Sequence, residues 1–209
     1  MKEVRRALVT GAAGFIGSNL VAELLRRGWQ VRLLDNFSTG KRERLTALAG
    51  PNLDIQEGDI LNLEDCDRSC RDVEYVFHQA ALRSVPRSVD SPLATNDVNV
   101  RGTLQMLQAA SKAGVRRFIY ASSSFVYGQN DKMPQEETHL PQPTTPYGVS
   151  KLAGEHYCQT FSKTYGLETV ILRYFNVFGP HQDPESKYST VIPAFISAVA
   201  RGEPLEIHG

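Results

Sequence analysis

The chain is 209 residues long, enough for one full domain and part of a second. Its 23 basic and 23 acidic residues cancel, which argues against a nucleic-acid or anionic-membrane surface. Three cysteines (Cys66, Cys70, Cys158) form no CxxC and five histidines show no metal-ligand spacing, so no disulfide framework and no metal site are expected, and a reducing, cytoplasmic setting is.

The opening "MKEVRRALVTGAAGFIG" mimics a signal peptide, with basic residues before an apolar run. The run is short and broken by Gly11, Gly14 and Gly17, so it reads instead as a strand and turn. No segment approaches the ~20 apolar residues of a membrane span. "RRALVTG" (5–11) reads as a buried strand and "FIGSNLVAELLRRG" (15–28) as a helix with Ile16, Leu20, Leu24 and Leu25 on one face. "QVRLLD" (30–35) is a second strand, and "KRERLTALAG" a short helix stopped by Gly50 and Pro51. A third strand at 53–59, a polar helix "LEDCDRSCRD" and a fourth strand at 74–81 follow. "RSVPRSVDSP" reads as ordinary loop. A long helix is predicted over 94–114, a fifth strand over 116–123, a helix from Tyr147 to about Gly166, and a sixth strand over 168–174. Cys66 and Cys70, four apart on one helix, are expected to pack in the core.

This alternation predicts an α/β fold, a doubly wound parallel sheet in the order 3-2-1-4-5-6. Residues 1–175 form that domain. Over 176–209 the pattern loosens into a loop "GPHQDPESKYST", a helix "VIPAFISAVARG" and the start of a strand in "PLEIHG", as expected for the beginning of an incomplete second domain.

Two constellations carry chemistry. Gly11, Gly14 and Gly17 lie between the first strand and its helix. Glycines there let the backbone approach a pyrophosphate seated on the helix N-terminus. The acid Asp35 ends the second strand about twenty residues on, where it accepts from ribose hydroxyls and repels a 2′-phosphate. That favours NAD, with Lys41 and Arg42 leaving NADP open. In "TTPYGVSKLAGE" Tyr147 precedes Lys151 by one helical turn. A cation at that spacing is expected to lower the phenol's pKa from its usual ~10, toward a base that works at cellular pH.

With "LDNFSTG", "GDI", "HQAA", "NVRGT", "ASSSFVYG", "YGVSK" and "RYFNVFGP" in order, the sequence resembles the extended short-chain dehydrogenases/reductases. Within them it is most similar to the nucleotide-sugar 4-epimerases acting on UDP-glucose and UDP-N-acetylglucosamine. The resemblance implies bound NAD, a Rossmann fold and a UDP-sugar substrate. It also implies a homodimer through the helices around 94–112 and 147–165, although Leu104 and Leu107 suit an internal core face equally. Ser123, Tyr147 and Lys151 are the implied catalytic residues. Phe15 and Ile16 would give backbone donors to the pyrophosphate, Asp35 and Asn36 would hold the ribose, and Asp59 and Ile60 would flank the adenine. Ser38, Gly40, Gln79, Ala80, Ala81, Arg83, Asn99, Ala121, Tyr174 and Phe175 complete the implied cofactor contacts. Ser84, Asn176 and Val191 join Ser123 and Tyr147 toward the sugar nucleotide. Related sugar 4,6-dehydratases carry an Asp–Glu pair where this chain has Ser124 and Phe125, and UDP-glucuronate decarboxylases place a Glu in that segment; their absence favours epimerisation. A non-catalytic NAD-binding module is the reading from a different class.

Overall fold

The computed structural model describes residues 5–129, 133–182 and 191–205. Six strands, β1 (Arg6–Thr10), β2 (Gln30–Asp35), β3 (Leu53–Glu57), β4 (Tyr75–His78), β5 (Arg117–Ser123) and β6 (Glu168–Tyr174), form one parallel sheet in the order β3-β2-β1-β4-β5-β6. The predicted topology is therefore observed. The order reverses between β1 and β4, and in such sheets that reversal opens a crevice beyond the strands' carboxyl ends.

Strand β1 shows why its sequence is apolar throughout. Ala7 and Val9 point to one side, packing with Val21, Leu24, Val31, Leu33 and Leu45 under helices α1 (Phe15–Arg26) and α2 (Glu43–Thr46). Leu8 points to the other, into a cluster with Val76, Met106, Leu107, Phe118, Tyr120, Cys158 and Phe161. A central parallel strand buried on both faces has no solvent side to mark with polar residues. Cys66 and Cys70, on α3 (Leu63–Cys70), and Cys158 are free thiols in that second core, and burial pushes each thiol up to about 12. They are packing residues.

Four predictions from sequence are corrected. The buried face of α1 runs through Gly17, Ser18, Val21 and Leu24; of the predicted face, Leu24 is in the core and Leu20 and Leu25 pack partly against it, while Ile16 does not join it. The helix must press Gly17 against the glycine turn, where a Cβ would fall 2.2 Å from the Gly11 carbonyl oxygen, and that contact sets its rotation. The fourth strand ends at His78, so Gln79, Ala80 and Ala81 belong to the loop beyond it. The segment read as loop holds a helix, α4 (Val85–Asp90), whose N-terminus is capped by the Ser84 side chain accepting from Arg87 N–H. The long helix expected over 94–114 is three pieces: α5 (Pro92–Asn96), a π-helical turn Asp97–Gly102 and α6 (Thr103–Lys112). Gly102 sits where the Ile60 side chain presses in, 2.6 Å from where a Cβ would be.

Helix α7 (Pro146–Tyr165) starts on Thr145, whose side chain accepts from Gly148 N–H, and stops at Gly166 with φ 72°. Both signals are local: a Thr-Pro start and a glycine in the left-handed region at the end. Helix α8 (Val191–Arg201) also appears as expected. Of the strand start predicted in 204–209, Pro204 and Leu205 carry no regular structure and residues 206–209 lie outside the described residues. No helix among the described residues is long and apolar enough to cross a membrane.

Candidate active site

The crevice at the β1/β4 switch point collects the two constellations. On one side, Gly11 turns the chain with φ 66° and lies so close to the 79–80 backbone that a Cβ would be 2.7 Å from Ala80 N. A Cβ on Gly14 would meet only the Gly11 carbonyl oxygen, at 3.1 Å. Gly14 is the N-cap of α1, has no side-chain cap and is followed by no acid in the first turn. Among the described residues the first-turn N–H groups therefore have no acidic or capping side chain, and with the helix dipole they make a seat for an anion. Phe15 and Ile16 are half-buried at this seat.

At the ends of β2 and β3 the polar residues interlock. Asp35, 8% exposed, accepts from Ala13 N–H at 2.8 Å with one carboxylate oxygen and from Phe37 N–H at 2.8 Å with the other. Asn36 donates to Asp59 at 2.9 Å and accepts from the backbone N–H and hydroxyl of Ser38. Gly40 abuts Ala13 closely enough that a Cβ would be 2.5 Å away. Ile60 is 5% exposed, its side chain spent in the core.

On the other side, β5 and α7 bring Ser123, Tyr147 and Lys151 together. All three are buried. The Ser123 hydroxyl acts on the Tyr147 phenol, opposing the rise in its pKa, and it accepts from Phe125 N–H at 3.3 Å, opening a 3-10 turn over Ser124–Val126. Lys151 Nζ donates to the Ala121 carbonyl at 2.9 Å and stands 5.2 Å from the Tyr120 ring centre and 5.9 Å from that of Tyr147. Gly154, one turn on, leaves room for Tyr120, since a Cβ there would lie 2.2 Å from the Tyr120 hydroxyl. The Phe125 ring meets Tyr147 edge-on at 5.8 Å.

The electrostatics differ from the sequence-based expectation. Burial raises the Tyr147 pKa above its ordinary value, with the Ser123 hydrogen bond and the Arg83 charge opposing it. Burial also lowers Lys151 to about 8. Lys151 donates its hydrogen bond to a backbone carbonyl, and the groups that favour the Tyr147 phenolate against burial are Ser123 and Arg83. Burial shifts both groups toward their neutral forms, the lysine only to about 8, so it still carries its charge at neutral pH.

Two clusters escaped the sequence reading. Ser122 donates to Glu155, and Arg173 holds both Glu155 oxygens at 2.9 and 2.7 Å. The Arg173 guanidinium also lies 4.7 Å from the Tyr127 ring centre. Glu155 is four residues beyond Lys151, a spacing that could have flagged it. The second cluster centres on His78, between Thr10 and Thr103. Asn99 is where a core hydrogen-bonding residue was expected: it accepts from Leu82 N–H and donates to the Leu82 carbonyl and the Ser150 hydroxyl. Ser84 is engaged as a helix cap. Gln79 donates to the Tyr174 hydroxyl at 3.3 Å, while Phe175, Asn176 and Arg83 are exposed. Val191 opens α8, and its side chain lies outside the described residues.

The NAD dependent epimerase/dehydratase family model matches residues 7–209. A putative UDP-glucose 4-epimerase of Methanocaldococcus jannaschii is 39% identical over 204 residues, covering 97% of this chain and 65% of that protein. Among solved structures, a UDP-N-acetylglucosamine 4-epimerase of Methanobrevibacter ruminantium, in complex with UDP-N-acetylmuramic acid, is 42% identical with a TM-score of 0.93, over 99% of this chain and 66% of that one. A UDP-glucose 4-epimerase of Thermus thermophilus in complex with NAD is 41% identical with a TM-score of 0.85, over 95% of this chain and 64% of that one. In each case the chain spans less than two thirds of the relative's own length.

Proposed function

The chain belongs to the NAD-dependent epimerase/dehydratase family, and from that premise we propose that it inverts C4 of a UDP-hexose through a transient 4-keto sugar. The observation that carries the reading is the meeting of Ser123, Tyr147 and Lys151 beside an uncapped, glycine-lined helix N-terminus. The crevice suits NAD: the N–H groups of Phe15 and Ile16 would hold its pyrophosphate, and Asp35, each of whose oxygens keeps a lone pair beyond its backbone bond, would hold its adenosine ribose. Held there, NAD would supply the hydride chemistry at C4. Tyr147 takes the proton of the sugar 4-hydroxyl and gives it back after the ketone has presented its other face. Ser123 hydrogen-bonds the same oxygen and holds it in line.

Phe125 supports epimerisation over elimination, because a phenyl ring beside Tyr147 has no proton to transfer. Glu155 is bound to Ser122 and Arg173 and is not free to serve as an additional acid. Residues 1–175 are read as the dinucleotide domain and 176–209 as the start of the substrate region, in a cytoplasmic homodimer formed through the helical segments around 94–112 and 147–165. Leu107 is spent in the core, so that contact would use outward residues such as Val149 on α7. The test is incubation with UDP-glucose or UDP-N-acetylglucosamine and NAD, reading C4 epimers by NMR. Turnover is expected, with Tyr147→Phe lowering it by a factor of about 100 or more. Equal activity in that variant would overturn the assignment.

A further inference from the structure

His78 is wholly buried and belongs to no step above. It ends β4 at the switch point, flanked by Phe118 and stacked on Tyr120 with ring centres 6.1 Å apart. Its Nδ1 is 2.8 Å from the Thr10 hydroxyl and its Nε2 is 3.0 Å from the Thr103 hydroxyl.

The proton positions follow from counting donors. Thr103 bonds the Asn99 carbonyl at 2.7 Å, and a carbonyl only accepts, so the Thr103 proton is committed there. Toward His78 the same oxygen can only accept, so Nε2 carries the hydrogen. In the neutral ring Nδ1 is then an acceptor, and Thr10 donates to it. Thr10 in turn accepts from Ala80 N–H at 3.2 Å. One directed chain results: Ala80 N–H to Thr10, Thr10 to His78, His78 to Thr103, Thr103 to the Asn99 carbonyl. The Asn99 side chain continues it, clamping both backbone groups of Leu82 and donating to Ser150 at 3.0 Å, and Ser150 donates to the Tyr147 carbonyl at 2.7 Å. An imidazolium would place a second donor against Thr10 and strand the threonine proton. Burial first, and the Lys151 charge second, push the His78 pKa down to about 3, in accord with that arrangement.

We propose that His78 is a positioning residue, held as the Nε2–H tautomer, which sets the 79–82 loop and the start of α7 in one register across the crevice. Ala80 lies against the glycine turn, and the Asn99 whose carbonyl ends the chain of the ring also reaches, through its side chain and Ser150, the backbone of Tyr147, so the ring sits between the dinucleotide seat and the residue that carries the phenol. A chain in which each donor has one acceptor has one ordering, and that ordering rigidifies both ends. The consequence for turnover rests on the epimerase reading; the tautomer and the loop clamp do not.

The experiment uses the protein labelled with 15N. Long-range proton–nitrogen correlation, with His78→Gln to assign the ring, is expected to show an Nε2–H tautomer that stays neutral from pH 8 to about 4.5. Thr103→Val, which removes the hydroxyl at near-constant shape, is expected to raise amide exchange at Ala80 and Leu82 about tenfold and to lower kcat about tenfold with little change in KM. Thr103→Ser, which keeps the hydroxyl, is expected to restore both. A His78 ring protonated on Nδ1, or titrating near 6.5, overturns the proposal. So does a Thr103→Val protein whose Ala80 and Leu82 exchange matches the parent, or a Thr103→Ser protein no better than Thr103→Val. Absence of epimerisation in the parent tells against the reading of the activity, and the tautomer and exchange measurements still decide the role of His78.

Discussion

Tyr147 is neutral and hard to ionise in the chain alone, because burial opposes a phenolate more strongly than Ser123 and Arg83 favour it. A base is needed only when substrate is present, and the positive charge of an oxidised nicotinamide is the missing influence. The expected outcome is a phenol titrating above the ordinary ~10 in the free protein and moving down when NAD is added. Ultraviolet absorbance of the phenolate, compared between parent and Tyr147→Phe, measures it, and an unchanged titration would count against the arrangement. The spacing of Tyr147 and Lys151 was visible in sequence. That the lysine would bond the Ala121 carbonyl was not, because it depends on where β5 runs beneath α7.

At the scale of elements, α7 is fixed to the sheet by close approach and by one buried ion pair. Gly154 lies over the Tyr120 hydroxyl. Gly154→Ala must push the ring or the helix aside, at a cost of about 1–3 kcal/mol, and is expected to lower the unfolding midpoint in urea and to disturb Lys151 one turn back. Glu155 and Arg173 join α7 to β6 with both oxygens engaged. Glu155→Gln leaves a largely buried guanidinium without its counter-charge and is expected to cost about 3 kcal/mol. A urea titration checks both variants, and a parent-like Glu155→Gln would show that the pair is incidental. The starts and stops of α7 could be read from Thr145, Pro146 and Gly166, since caps are local. The division of the 85–112 region into four helical pieces could not, because the turn at Gly102 is set by Ile60, forty-two residues earlier.

For the molecule as a whole, the buried titratable groups set how stability depends on pH. His78 has a folded pKa of about 3 against an ordinary 6.5. Below about 6.5 the unfolded chain takes up a proton that the folded chain refuses, so stability from this group is complete above 6.5 and falls toward pH 3, by up to ~1.4 kcal/mol per pH unit. Lys151 is lowered from 10.5 to about 8. Between those values the unfolded chain again holds more protons, so this group makes stability rise with pH from about 8 to 10.5. The buried thiols act the other way above about 9, because burial pushes each up to about 12, so the lysine is read as a difference. Urea unfolding across that range is expected to give a more positive pH slope in the parent than in Lys151→Met, and an identical pH dependence in both would remove the lysine from the account.

The sequence by itself determined the strand order, the glycine turn and the one-turn spacing of Tyr147 and Lys151, because alternating patterns, glycine and helix periodicity act between near neighbours. Only the tertiary structure decided which ionisation states the site favours and which residues brace it. The partners of His78, Thr10 and Thr103, lie 68 and 25 residues away, and Glu155 meets Arg173 across 18. Such pairings, and the loss of water that shifts the pKa values, exist only once the sheet and its helices have closed around them.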